Sequence, residues 1–337
     1  MTLSVGVLDQ SPIIEGETAA DALANSVALA RTAERLGYHR YWVAEHHASG
    51  SFAGSAPEIL VAHIAAATRH IRVGSGGVML MHYSPLKVAE VFRVLATLHP
   101  DRVDLGIGRA PGGDQLTAVA LAYGSRLGLE YFAARLADLL AFIGGTTPFT
   151  EALAPVQALP EPAVSPQVWV LGSSPDGAML AAHFGLPFCY AHFISASQLE
   201  KASKVYRRDF RPSAWLERPR LGLGVAAICA DTDAEAMQLA RSGEMWRLRF
   251  ERGEFAPFPN METVLNQKVT EEDEKLLEAR RRRQFTGTAP VVGAALRQLA
   301  ADHGADELSI VSITPDFASR QHVYELLAPE LGLKARP

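Results

Sequence analysis

The sequence predicts a (β/α)8 TIM barrel, an α/β fold, on three observations. Short apolar strand candidates alternate with amphipathic helices along the whole chain. The first strands recur at roughly 30 to 37 residues, the length of one β-helix-β unit. No two of them are joined by a hairpin turn, so they pair in parallel through right-handed crossovers. Eight such units in one chain favour a closed barrel over the competing open doubly wound sheet. With 337 residues, 48% of them hydrophobic and 20% charged, the chain is long enough for one large core.

Leu3 to Asp9 is the first strand, closed by Gln10, Ser11 and Pro12. From Asp21 to Leu36, apolar Ala22, Leu23, Val27, Ala30, Ala33 and Leu36 follow a helical period, and Gly37 stands where a C-terminal cap belongs. Arg40 to Ala44 is the second strand. Ser55 to Glu58 reads as a capping box opening a helix that ends near Arg69. Ile71 to Leu80 is the third strand, Pro85 to Leu98 a helix, and Arg102 to Ile107 the fourth strand. Later strands are read at Gln167 to Gly172, Leu186 to Ile194, Leu221 to Ala230 and Glu307 to Ile313. Helices are read at Leu129 to Ile143, Asp176 to Phe184, Gln198 to Phe210, Asp233 to Phe250 and Pro290 to His303. One domain is expected over residues 1–337, with excursions at 146–166, after the fourth helix, and 251–285, after strand seven. The second ends in Arg280 to Arg283, a basic run read as a solvated helix face. Its place after strand seven makes the segment a candidate lid.

The net charge of −5 is spread over acidic and basic residues alike, so nucleic acid is not an expected partner. No apolar run approaches the roughly 20 residues that span a bilayer, and the amino terminus lacks a signal-peptide pattern. A cytoplasmic protein with no membrane partner is the expectation. Cys189 and Cys229 lie in apolar strand segments and read as core residues, without disulfide or metal.

Active sites of such barrels gather at the carboxyl ends of the strands. Those ends carry Asp9, Gln10 and Ser11; Glu45, His46 and His47; Gly74 to Gly77; Gly106 to Asp114; Gly172, Ser173 and Ser174; and Tyr190 to His192. Glu45, His46 and His47 form the most chemically loaded segment. Adjacent histidines on extended backbone point opposite ways and are poor partners for one metal, so no metal site is expected. Arg109, flanked by glycine, suits a phosphate or a carboxylate. Ser173 and Ser174 precede a helix whose free amides make an anion site. Gly76 and Gly77 make a turn or let something flat lie against backbone.

These segments carry a family resemblance. Trp42 to His47 resembles the acidic-His-His segment of bacterial luciferase and its relatives. Val73 to Leu80, Gly106 to Arg109, Val170 to Ser174, Leu8 to Pro12 and His82 to Pro85 fall at matching places. The similarity covers nearly the whole chain and is strongest over residues 1–115. It implies a luciferase-like flavin-dependent monooxygenase: a barrel binding reduced FMN, supplied by a separate NAD(P)H:flavin reductase, that uses O2 to oxygenate a small organic substrate. By motif, His46 and Glu45 match catalytic positions. Gly76 and Gly77 match a non-prolyl cis peptide beneath the isoalloxazine. Arg109, Gly172, Ser173 and Ser174 match the phosphate site. Gln10, His82 and His192 are expected in the substrate pocket. A homodimer through early helices such as Ala56 to Ala67 is also implied. Gly108 stands where luciferase has a reactive cysteine, and Gly172 where it has an acidic residue, so luciferase's aldehyde chemistry does not transfer. Hydride transfer with F420, and flavin binding with little catalysis, are the alternatives on the same fold.

Overall fold

A computed structural model describes residues 3–109, 113–123, 131–161 and 164–336. In chain order the elements are β1 (Ser4–Asp9), α1 (Ala19–Leu36), β2 (Arg40–Val43), α2 (Pro57–Ala67), β3 (Arg72–Met79), α3 (Pro85–Leu98), β4 (Val103–Gly108), α4 (Gln115–Ala122) and α5 (Phe132–Gly144). Then come β5 (Gln167–Gly172), α6 (Pro175–Phe184), β6 (Phe188–Ala191), α7 (Leu199–Asp209), β7 (Leu221–Ala230), α8 (Asp233–Glu251) and α9 (Met261–Asn266). The chain finishes with α10 (Glu271–Arg281), β8 (Gln284–Thr288), α11 (Ala289–His303), β9 (Glu307–Val311) and α12 (Phe317–Glu330).

Every strand pairing is parallel. β1 to β7 follow one another around the barrel, and β9 closes it between β7 and β1. This is the expected (β/α)8 barrel, and all eight expected strands are its staves. β8 stands outside the ring. The first half of β7 is shared between β6 and β9, while its second half, Ala226 to Ala230, runs on to pair with β8.

Three local expectations differ. The 251–285 excursion is built from α9, α10 and the start of β8, and α12 follows the last strand where no helix was assigned. Ser55 does not cap α2: Pro57 occupies the first turn, the N-cap is Ala56, and no side chain accepts there. The fixed φ of proline suits the first helical position, where no amide is needed, so Pro57 opens the helix and the start moves one residue on from Ser55. Capping boxes close α1, through Thr18 and Asp21, and α10, through Thr270 and Asp273. Gly37 does cap α1, at φ 88°, donating to Ala33 and Glu34 carbonyls. Leu129 and Glu130, at the start of one expected helix, lie outside the described residues.

The barrel interior is layered. At the amino end, fully buried Arg40 pairs with Asp104 (2.5 Å) and with Glu307. Its guanidinium lies 4.7 Å from the ring centre of Trp169 and 5.1 Å from that of Trp42. Arg72 joins from Asp104 (2.6 Å) and Arg220 from Glu307 (3.1 Å). Above this charged floor sits an apolar layer of Leu8, Trp42, Trp169, Cys189 and Val311. Both cysteines are buried and free. Arg40→Ala removes the buried charge that the two carboxylates share, leaving each with one partly exposed arginine, and is expected to lower unfolding free energy by about 3 kcal/mol in urea denaturation. Gly108→Ala, whose β-carbon would meet nothing within 4 Å, is expected to stay within about 0.5 kcal/mol of the parent.

Candidate active site

Above the apolar layer the carboxyl ends of the strands open into a cavity of about 610 Å3. Val311, Ile313 and Ala226 line its strand side. Gln10 and the His46 to Ser49 segment flank it, and Phe52, Trp246, Phe250, Phe255 and Phe258 provide aromatic walls. These walls are held by short backbone ladders. Ile13 donates to Ser51 (2.9 Å), Ala53 to Ser11 (2.9 Å), Phe258 to Ile13 and Glu15 to Phe258 (each 2.8 Å). The Trp246 indole donates to Ser51 Oγ (2.8 Å), which donates to the Ala256 carbonyl (2.6 Å). The segment after α8 is therefore strapped across the loops that follow β1 and β2. Gly50 makes room for the strap, since a β-carbon there would stand 2.5 Å from the Phe255 carbonyl oxygen.

His46 sits in this wall. Its ring stacks on Phe52 with centroids 4.2 Å apart and planes at 20°, and its backbone amide donates to Gly54 (2.8 Å). Nδ1 is buried without a hydrogen-bond partner. Burial first, and the charge of His47 second, pull the imidazole down to about 4, so it is neutral at pH 7. His47 turns the other way, as extended backbone requires, and its Nε2 lies 2.7 Å from Glu45 Oε1.

Glu45 is almost wholly buried, and both its oxygens are engaged. Oε1 accepts from Tyr83 (2.7 Å) as well as meeting His47, while Oε2 accepts from the Met79 amide (3.0 Å). Burial and then Glu45 push the Tyr83 phenol well up, which keeps it a donor. Glu45 thus ties the end of β2 to the end of β3. Nearby backbone is strained: Ala48, beside His47, and Ser11, in the loop after β1, both take φ of 48°, a region that non-glycine residues rarely enter.

A second cluster stands at the ends of β4 and β5. Arg109 Nη2 donates to Ser174 Oγ (3.2 Å). Ser174 is the N-cap of α6, yet its hydroxyl makes no capping bond, and Pro175 opens the helix. The positive end of α6, a guanidinium and a hydroxyl so converge, the donor set of an anion site. Ser173 is half-buried beside them. Gly108, adjacent to Arg109, faces open space. The cluster suits a phosphate or another anionic group.

The peptide between Gly76 and Gly77 is cis. A β-carbon at Gly76 would lie 2.7 Å from Leu8 and 3.0 Å from Trp42, and one at Gly77 2.7 Å from the Gly106 carbonyl oxygen. The pair lets β3 approach its neighbours closely, which is a packing demand. Gly172 makes only ordinary contacts, its nearest being 3.6 Å.

Of the expected pocket residues, Gln10 lines the cavity. His82 and His192 are buried away from its walls: His82 lies edge-on to Tyr83, and His192 stacks on Phe285 of β8 at 5.8 Å. The strand that captures His192, β8, is not among the eight that the sequence predicts. Unforeseen wall residues are Phe52, Trp246, Phe255, Phe258 and Arg280. The signal available for them was four aromatics between positions 246 and 258. Among the described residues no group of acidic, His or Cys side chains could hold a metal.

The family model for luciferase-like monooxygenases matches residues 3–317. A luciferase-like monooxygenase of Escherichia coli is 36% identical over 96% of both chains. The N-acetyl-S-alkylcysteine monooxygenase of Bacillus subtilis is 36% identical over 97% of both. The crystal structure of apo-MsnO8 has a TM-score of 0.91 at 39% identity, covering 99% of this chain and 100% of that one.

The depressed His46 pKa has a measurable consequence. Above pH 6.5 the imidazole is neutral folded and unfolded, so it adds no pH dependence. As pH falls from 6.5 toward 4 only the unfolded chain takes up the proton, and stability is lost, by up to about 3 kcal/mol. Urea denaturation at pH 7.5 and pH 4.5 is expected to show a smaller acid loss in His46→Asn than in the parent. Equal losses would mean that His46 titrates normally.

Proposed function

Since the chain belongs to the luciferase-like monooxygenase family, we propose that it is an FMN-dependent enzyme of the two-component kind. It takes reduced FMN from a separate NAD(P)H:flavin reductase and uses O2 to oxygenate a small organic substrate. The observation that carries this reading is the Arg109–Ser174 pair at the open amino end of α6, at the same end of the barrel as the cavity. Reduced FMN, when bound, supplies the electrons that activate O2.

The protein's own part is binding, orientation and exclusion of water. Arg109, Ser173, Ser174 and the first amides of α6 hold the phosphate dianion. Gly76, Gly77 and Gly172 are the backbone positions assigned to the flavin. His46, neutral and with a buried unpartnered Nδ1, exchanges a hydrogen bond or a proton with the reacting centre. Glu45, with both oxygens occupied, is a positioning residue: it fixes His47 and the β2–β3 junction so that His46 faces the cavity. Gln10 and the aromatic walls receive the substrate and keep water out.

Solubility and assembly follow the same reading. No helix among the described residues is long and apolar enough to cross a membrane, consistent with the proposed cytoplasmic enzyme. Neighbouring α2 and α3 leave Ile59, Val94 and Leu98 exposed, which supports a homodimer through these early helices.

The test is an anaerobic titration of apoprotein with FMN, reduced FMN and F420, followed by admission of air. Reduced FMN is expected to bind and to reoxidise at a rate distinct from that of the free flavin. Arg109→Ala is expected to weaken binding by about tenfold to a hundredfold, the worth of one or two charge-assisted hydrogen bonds. Binding of F420 alone would transfer the protein to the hydride-transfer class, and binding of none would overturn the cofactor assignment.

A further inference from the structure

Arginines crowd α8 and α10, and most have an acidic partner. Arg247 pairs with Glu251, Arg249 with Glu15, Arg252 with Asp273, Arg281 with Glu244 and Glu274, and Arg282 with Glu278. Arg241 and Arg280 are exceptions: neither enters an ion pair among the described residues, and the Nε of Arg280 is also buried without a hydrogen-bond partner. Glu244, the carboxylate whose charge acts on Arg280, already accepts from Arg281 Nε (2.6 Å) and Nη2 (2.9 Å).

The fold makes room for the guanidinium. It passes Gly243 of α8, where a β-carbon would stand 2.7 Å from Nη2. Arg280 and Gln284 form part of the wall of the aromatic cavity and also border a second cavity of about 820 Å3 beside α8 and α9. Arg247 and Arg283 line the same aromatic cavity. Its one acidic wall residue among the described residues, Asp114, is engaged in capping α4 through Thr117. Burial above all, with Arg247 and Arg283 adding to it against Glu244, lowers Arg280 to about 10, which leaves it charged at pH 7 and in want of a counter-ion.

We infer that the substrate is an organic acid, with an apolar body lying among Phe52, Trp246, Phe255 and Phe258 and an anionic headgroup held by Arg280. This rests on the reading of the cavity as the substrate site, and it adds a specificity-determining residue from the 251–285 segment. A headgroup there completes the hydrogen bonding of a buried cation, and a neutral analogue leaves it incomplete, so discrimination against the analogue is large.

The experiment compares 4-phenylbutanoate with its neutral isostere 4-phenylbutanamide by calorimetric titration of the purified protein, beside the reduced-FMN titration. The acid is expected to bind at least about tenfold tighter than the amide. Arg280→Gln is expected to erase that preference and Arg280→Lys to restore part of it, with reduced-FMN affinity unchanged in both. Equal binding of acid and amide, binding of neither, or a preference that survives Arg280→Gln would overturn the inference. Loss of flavin binding with the acid preference intact would instead overturn the cofactor reading and leave the anion subsite standing.

Discussion

The buried cluster of Arg40, Asp104 and Glu307 is the constraint on which the rest of the structure depends. Three charges from β2, β4 and β9 meet at the amino end of the barrel, flanked by Arg72 and Arg220 and covered by Trp42 and Trp169. Each charge is tolerable only because the others are present. Staves distant in sequence are thereby locked in register around one axis, and the interior is filled from that end upward. What space remains lies at the carboxyl ends, where the cavity opens.

The loops around that cavity inherit their precision from the same arrangement. Tyr41, Asp9 and Arg320 form a second buried network between the strands and α12, with Tyr41 donating to Asp9 at 2.6 Å and Arg320 paired to Asp9 at 2.5 Å. Glu45 joins β2 to β3 through Tyr83 and the Met79 amide. The next residue, His46, is held by its stack on Phe52 and its backbone bond to Gly54. Residues placed this way can keep an imidazole dry and neutral without a metal or a carboxylate partner at its ring.

Much of this was legible in the sequence because it is local. Strand spacing, the glycine cap at Gly37 and the polar strand ends are properties of short segments, and all eight barrel staves follow from them. What escaped is set by distant contacts. β8 has little apolar alternation of its own and becomes a strand by pairing with the far half of β7. Ser55 and Glu58 have the right spacing for a capping box, but Pro57 between them shifts the helix start. His82 and His192 occupy strand-end positions, as expected for pocket residues, yet their rings are claimed by Tyr83 and Phe285. Arg280 is one of four consecutive arginines, and nothing in that run tells which of them lacks a partner.

The strap across the barrel mouth divides the site's ancestry in an unequal way. The anion cluster at Arg109 and Ser174 is assembled from β4, β5 and α6, staves and helix of the barrel itself. The aromatic and cationic walls come largely from one uninterrupted stretch, residues 246–284, tied to the loops after β1 and β2 by backbone bonds at Ile13 and Glu15 and by the Ser51 hydroxyl. Such a stretch is a cassette. Insertions, exchanges and drift within it reshape the chamber's contents while leaving the scaffold beneath untouched, so a lineage with this architecture is able to diversify its chemistry by rewriting about an eighth of its length.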